Sequence, residues 1–130
     1  AIVLSEGKDV TLVATGHLVW EALQAAKILE EQGISAEVID IHTIKPLDNE
    51  AILKSVAKTN CVVGCEEHQF NGGLNESIAQ LLVRNNPKPM EFVGVDDCFG
   101  ESGTPDALME KYGLKANNIV EAAKRVIARK

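Results

Sequence analysis

Short apolar runs alternate along the chain with longer segments in which apolar residues recur every three or four positions. The short runs predict buried strands, and the longer segments predict amphipathic helices. The predicted strands are residues 2–4, 10–14, 36–41, 61–65 and 92–95. The run 10–14 is β-branched and apolar on both faces, which is typical of a central strand in a parallel sheet.

Capping and helix-breaking residues mark the ends of the first three predicted helices. The first begins after Thr15-Gly16-His17 and ends at Gly33, because glycine can adopt the left-handed conformation that ends a helix without a Cβ clash. Asp48 is placed to cap a second helix over residues 49–58. A third runs from Leu74 to the Asn85-Asn86-Pro87 stop.

Two further helices are predicted near the end of the chain. Thr104 is the expected N-cap of a short helix with Pro105 in its first position. Asn118, with Glu121 three residues later, resembles a capping box that opens the terminal helix. The alternation of strands and helices predicts one α/β domain over residues 1–130, with a sheet between two helical layers.

Composition and charge exclude several classes of protein. The 130 residues carry a net charge of −6, and the basic residues are scattered apart from a small group near the end, which argues against a nucleic-acid partner. No apolar run is long enough to cross a membrane, and the first residues show no secretion signal, so we expect a cytoplasmic protein. Because Ala1 leads directly into an apolar run, we expect a domain cut from a longer polypeptide.

The most reactive-looking stretch follows the fourth predicted strand. Glu66, Glu67 and His68 offer an acid, a base and a titratable imidazole where ligands of parallel sheets usually bind. The structural alternative is that these carboxylates accept backbone N–H bonds from helix N-termini or pair with a partner's arginine. The sequence alone leaves both interpretations open.

The neighbouring residues suggest other chemistries, each with a structural alternative. Gly72-Gly73 before a helix predicts either an anion site or, more simply, a turn, since no phosphate-loop motif is present.

Cys61 and Cys65 would share one strand face with His68 nearby, but zinc would need a fourth ligand, and their spacing is not that of a zinc knuckle. We therefore interpret the two thiols as small core side chains in a reducing compartment. His17 is interpreted as a surface histidine, and Trp20 and Phe70 as packing residues.

Several motifs together resemble one enzyme family, in the family's order and across nearly the whole chain. They are EGKDVTLVATG (6–16), TIKPLD (43–48), EEH (66–68) with GGL (72–74), and ESG (101–103) before YGL (112–114). This set resembles the C-terminal domain of transketolases, including forms split into two polypeptides. Related domains occur in deoxyxylulose-phosphate synthase and in the beta chains of oxoacid dehydrogenases.

The resemblance implies a specific topology. It predicts a five-stranded, mostly parallel mixed sheet in the order 1-3-2-4-5, with strand 1 antiparallel to the rest. This overrides the local interpretation of residues 6–9 as a tight hairpin turn. One crevice would then be flanked by the turns after strands 2 and 4. Its candidate ligand or interface residues are Thr15, Gly16, His17, Glu66, Glu67, His68, Gly72 and Gly73.

The resemblance also implies what the chain does not do alone. Transketolases of the pentose phosphate pathway move a two-carbon ketol unit between sugar phosphates with thiamine diphosphate and Mg²⁺, which their first two domains hold. This chain lacks the Gly-Asp-Gly motif of that site. We therefore expect a non-catalytic domain with no cofactor of its own. It would support the pyrimidine-binding and diphosphate-binding domains of a parent homodimer.

Two alternatives remain at this point. In the first, the chain would be a regulatory module whose crevice binds phosphorylated metabolites or nucleotides. Alternatively, the chain would be a docking domain of an oxoacid dehydrogenase-type complex.

Overall fold

The structure, a computed structural model, describes residues 2–16, 18–41, 48–66, 73–93 and 116–130. These residues form five strands and four helices. The elements are β1 (Ile2–Ser5), β2 (Val10–Ala14), α1 (Leu18–Glu31), β3 (Ala36–Asp40), α2 (Asn49–Thr59), β4 (Val62–Cys65), α3 (Leu74–Asn85), β5 (Met90–Val93) and α4 (Ala116–Ala128).

The sheet has the order β1-β3-β2-β4-β5, with β1 antiparallel to β3 and the other pairs parallel. This confirms the topology implied by the family resemblance, and a hairpin at residues 6–9 would have been wrong. The segment after β1 passes so close to β3 that a Cβ on Gly7 would lie 2.2 Å from the Ala36 carbonyl carbon. The Asp9 N–H then donates to the Ser35 carbonyl at 2.8 Å, and β2 begins one residue later.

Two apolar clusters cover opposite faces of the sheet. Alternate residues of β2 point to opposite sides, so Leu12 packs with α1 and α4, whereas Val13 packs with α2 and α3. The buried side chains of α1 are Leu18, Ala22, Ala25 and Leu29, which recur at the helical spacing expected of an amphipathic helix. The three-layer α/β/α architecture is therefore confirmed.

Several local predictions need correction. The last strand, β5, begins at Met90 rather than Phe92, and residues 94–95 lie outside the described residues. The terminal helix begins at Ala116, so the capping box at Asn118 is wrong. Trp20 is 63% exposed and is not the packing residue that was predicted.

Other local predictions hold or fall outside the described residues. Gly33 has the left-handed φ of +80° expected at the end of α1, and Asp48 caps α2 by accepting the Ala51 N–H. The helix predicted after Thr104 and the position of Phe70 lie outside the described residues. No helix in the described part of the chain is long and apolar enough to cross a membrane.

Candidate functional site

The carboxyl ends of β2 and β4 lie side by side at the centre of the sheet. Ala14 is in register with Cys65, and the N–H of Thr15 donates to the Cys65 carbonyl at 3.4 Å. The two turns that flank the predicted crevice therefore start from adjacent strands. Of the eight candidate residues, the structure describes Thr15, Gly16, Glu66 and Gly73. The other four, His17, Glu67, His68 and Gly72, lie outside the described residues.

Glu66 joins three elements at this edge of the sheet. Its backbone N–H donates to the Val93 carbonyl of β5 at 3.0 Å. Its carboxylate oxygens accept the N–H groups of Leu74 at 2.8 Å and Asn75 at 3.0 Å, at the start of α3. A carboxylate in this position also complements the positive end of the helix dipole. For Glu66, this confirms the structural interpretation, in which the carboxylate accepts backbone N–H bonds from a helix N-terminus.

The chemistry left to Glu66 is limited by these bonds. The residue is 5% exposed, and both of its oxygens are engaged by backbone donors. A general base must reach the proton that it removes, and this carboxylate instead points into the α3 N-terminus. Its role in the described structure is to hold α3 against β4 and β5.

The same contacts decide whether a phosphate group fits at the start of α3. Gly73 has extended backbone, and the helix has no side-chain cap from that residue. The N–H groups of Leu74 and Asn75 that would cradle an anion are already bonded to Glu66. The described residues therefore do not fit the diphosphate of thiamine diphosphate here, and we derive no step through that cofactor.

The turn before α1 is built differently from the start of α3. Gly16 has φ of +63°, a left-handed conformation that favours glycine, and it is exposed. The N–H of Leu18 donates to the Thr15 carbonyl at 3.3 Å, and that of Val19 donates to the Gly16 carbonyl at 3.2 Å. The first donors of α1 are thus satisfied within the turn. A ligand role for the crevice stays a prediction.

Cys61 and Cys65 both pack in the layer of α1 and α4, as expected for core side chains. Burial raises the pKa of the Cys65 thiol to about 12 and also raises that of Cys61. Both thiols are therefore protonated at neutral pH and are poor metal ligands as they stand. Within the described ranges, no three His, Cys, Asp or Glu side chains come together as a metal site.

The sequence interpretation missed two carboxylates that organise the fold. Glu21 of α1 accepts the N–H of Ala116 at 3.1 Å and so caps α4. Glu37 of β3 is 3% exposed and binds the Lys58 ammonium of α2. An acid between apolar neighbours near the start of the strand Ala36–Asp40 was a usable signal, since buried charges need partners. No local signal marked Glu21.

A family model described as "Transketolase, C-terminal domain" matches residues 1–119. The chain belongs to this family. The resemblance carried by the sequence motifs is therefore confirmed, and the sheet order of this transketolase C-terminal domain is the one that the family implies.

Similar proteins include both subunits and parts of longer chains. The chain is 52% identical over 130 residues to the 6-deoxy-6-sulfo-D-fructose transketolase subunit SqwH of Clostridium sp. (strain MSTE9), covering 100% of this chain and 40% of that protein. It is 43% identical to a putative transketolase C-terminal section of Methanocaldococcus jannaschii, covering 96% and 38%. It is also 38% identical to the 1-deoxy-D-xylulose-5-phosphate synthase of Desulforudis audaxviator, covering 95% and 20%.

A solved structure has the same fold. The chain matches one described as "Split gene transketolase, inactive beta4 tetramer" with a TM-score of 0.93 and 48% identity. The match covers 98% of this chain and 42% of that one. This transketolase C-terminal domain thus spans about two fifths of the subunits that it resembles.

Proposed function

We propose that this domain is a non-catalytic assembly element of a transketolase-like enzyme. The whole enzyme would transfer a two-carbon ketol unit between sugar phosphates, in the cytoplasm. Two relatives named as transketolase subunits support this, the 6-deoxy-6-sulfo-D-fructose enzyme and the apulose-4-phosphate enzyme of Phocaeicola vulgatus. The chain covers 40% and 38% of these subunits, so most of each lies outside the matched domain.

The partners follow from this proposal. The pyrimidine-binding and diphosphate-binding domains would hold thiamine diphosphate and Mg²⁺, and the parent would be a homodimer. The cofactor supplies a nucleophilic carbon for ketol transfer when it is bound. This domain would add rigidity and contact surface around that centre.

The observation that carries the proposal is the position of the Glu66 carboxylate. It is the acid of the crevice that the structure describes, and both its oxygens are bonded to the α3 N-terminus. Such a group contributes to the stability of the fold rather than to proton transfer.

The test is kinetic and uses the intact enzyme. Glu66→Gln, Glu67→Gln and His68→Ala are each expected to leave turnover per assembled enzyme and the KM for both sugar phosphates unchanged. Glu66→Gln is also expected to lower the Tm, because the amide can accept at only one position. If any of the three lowers turnover while assembly and Tm are preserved, the domain takes part in catalysis and the proposal is wrong.

A deletion tests the assembly role directly. Subunits that lack this domain are expected to associate more weakly in sedimentation at micromolar concentration. Unchanged association of the shortened subunit would contradict the proposed role.

A further inference from the structure

Large apolar side chains are concentrated around the outer edge of β1 and the start of α1. Ile2, Val3, Leu4 and Trp20 are 49%, 46%, 42% and 63% exposed, and we call these four residues the β1 patch. The remaining large apolar side chains with comparable exposure in the described ranges are Val83 and Phe92. Four of the six such residues therefore lie at the β1 edge of the sheet or at the start of α1 beside it.

The exposed edge of β1, which carries three of the four patch residues, has little protection against pairing with another strand. β1 is the edge of the sheet, and its successive side chains point to opposite faces, so apolar groups flank the edge on both sides. Edge strands usually carry a lysine or proline, or are covered by another element. Ile2–Ser5 contains neither residue, and a register shift between Val3 and Ser5 is its local irregularity.

A groove of about 650 Å³ continues the patch between β1 and α1. Leu4, Trp20 and Leu23 supply apolar surface, and Lys27 and Glu30 add charge beside them. Interfaces between domains of one chain have this mixed character, whereas obligate subunit interfaces are more apolar. The groove therefore suits a neighbouring domain better than the core of a permanent dimer.

We propose that the β1 patch is the docking surface for the domain that precedes this one in the parent subunit. This inference rests on the proposed function. The family is a C-terminal domain, and the chain covers 40% of its sulfofructose relative, so the larger remainder of such a subunit comes before β1. That remainder joins the chain at the strand that carries the patch. Covalent linkage raises the effective concentration of that remainder at the patch, which favours it over a second copy.

The test places a photoreactive residue in the patch of the intact parent subunit. The amino acid p-benzoylphenylalanine replaces the exposed Trp20, and the matched control replaces Val83, which is 73% exposed on α3 in the opposite helical layer. Neither position is part of the buried core, so both variants are expected to fold. After irradiation, denaturing electrophoresis gives the mass of the product, and peptide mass spectrometry gives the partner residues.

The expected product at position 20 is a crosslink within one subunit, to the preceding domain, and the control at position 83 is expected to lack it. A product of twice the subunit mass would assign the patch to a second copy and overturn the proposal. No crosslink at position 20 would also overturn it. If either result is found while the subunit that lacks this domain still associates more weakly, the docking surface is refuted and the assembly function is not.

Discussion

The Glu21 carboxylate accepts a hydrogen bond of 3.1 Å from the backbone N–H of Ala116, a residue 95 positions later in the chain. Glu21 lies in the first turn of α1, and Ala116 is the first residue of α4. Both helices pack on the same face of the sheet. The first helix therefore supplies the cap of the last one, and a negative charge at this position also favours the helix N-terminus.

Glu21→Ala is expected to lower the free energy of unfolding by about 1 kcal/mol, the usual cost of losing an N-terminal cap. Thermal or urea unfolding of the intact enzyme measures this loss. Glu31→Ala, at the exposed end of α1, removes the same charge without removing a cap and serves as the control. Equal stability of the two variants would show that the contact with Ala116 contributes nothing.

The start of α4 shows where local sequence patterns stop being informative. Asn118 and Glu121 match a capping motif, yet the helix begins two residues earlier, where the cap comes from α1. By contrast, α1 and α3 were predicted from apolar residues that recur every three or four positions, because helical period and burial are both encoded locally. A cap supplied by a distant residue leaves no such pattern.

Glu66→Ala is expected to cost more than the loss of Glu21. It leaves the N–H groups of Leu74 and Asn75 without their acceptor in a buried position, which destabilises the fold by about 2 to 3 kcal/mol. Hydrogen exchange should then rise in the first turn of α3 before it rises in α1. Glu50→Ala, at an exposed position in the first turn of α2, removes the same charge away from α3 and should change α3 less. Equal effects would argue against a specific role for Glu66.

A substitution at Gly7 tests whether its close approach to β3 determines the path of the chain after β1. A Cβ there would lie 2.2 Å from the Ala36 carbonyl carbon and 2.5 Å from the Glu37 nitrogen, so backbone atoms must move. We expect Gly7→Ala to lower the free energy of unfolding by about 2 to 3 kcal/mol, as overpacking does.

The control for Gly7 is Gly33→Ala, which meets no atom within 4 Å but has φ of +80°. It should cost only about 1 kcal/mol, from backbone strain. Urea unfolding of both variants gives the comparison. A larger loss for Gly33→Ala would show that conformation, and not close approach, determines the path after β1.

Within the candidate site, the position of Glu66 after a strand was predicted, but the choice between a ligand and a helix N-terminus for its carboxylate was not. The apolar run before Glu66 placed it at the end of a strand, and β4 does end there. Whether its carboxylate faces a ligand or a helix depends on how α3 returns over the sheet, which is a tertiary relationship. Thr11 is similar: its place in β2 was clear, but its hydrogen bonds to Ser55 at 2.7 Å and Thr59 at 2.6 Å required the packing of α2 to be known.

The Cys65 thiol is expected to resist alkylation in the folded protein. Its pKa of about 12 means that about one thiol in ten thousand is ionised at pH 8, and the side chain is fully buried. Peptide mass spectrometry after iodoacetamide treatment should find Cys65 unmodified without denaturant and modified in urea. Because the shift is upward, any residual rate should rise with pH across the alkaline range. Rapid labelling of the native protein at pH 8 would refute this burial.

The pKa of the Glu37 carboxyl predicts how the stability of the fold responds to acid. Burial alone would raise the pKa of its carboxyl, but hydrogen bonds from Lys58, Ser55 and the Gly7 N–H outweigh that effect and hold the pKa below its usual value. The carboxylate form is therefore favoured by folding. Its contribution is fully present above the unfolded pKa of about 4.3 and is lost as the pH falls through the lower folded value.

Urea unfolding of the intact enzyme from pH 7 to pH 3 measures this contribution. Glu37→Gln is expected to be less stable than the unmodified protein at pH 7, and the difference should shrink below about pH 4.3 as the native carboxylate becomes protonated. Glu31→Gln, at an exposed position, controls for the loss of one negative charge. If the two glutamine variants lose stability in parallel on acidification, the pairing of Glu37 with Lys58 does not determine the acid response of this sheet.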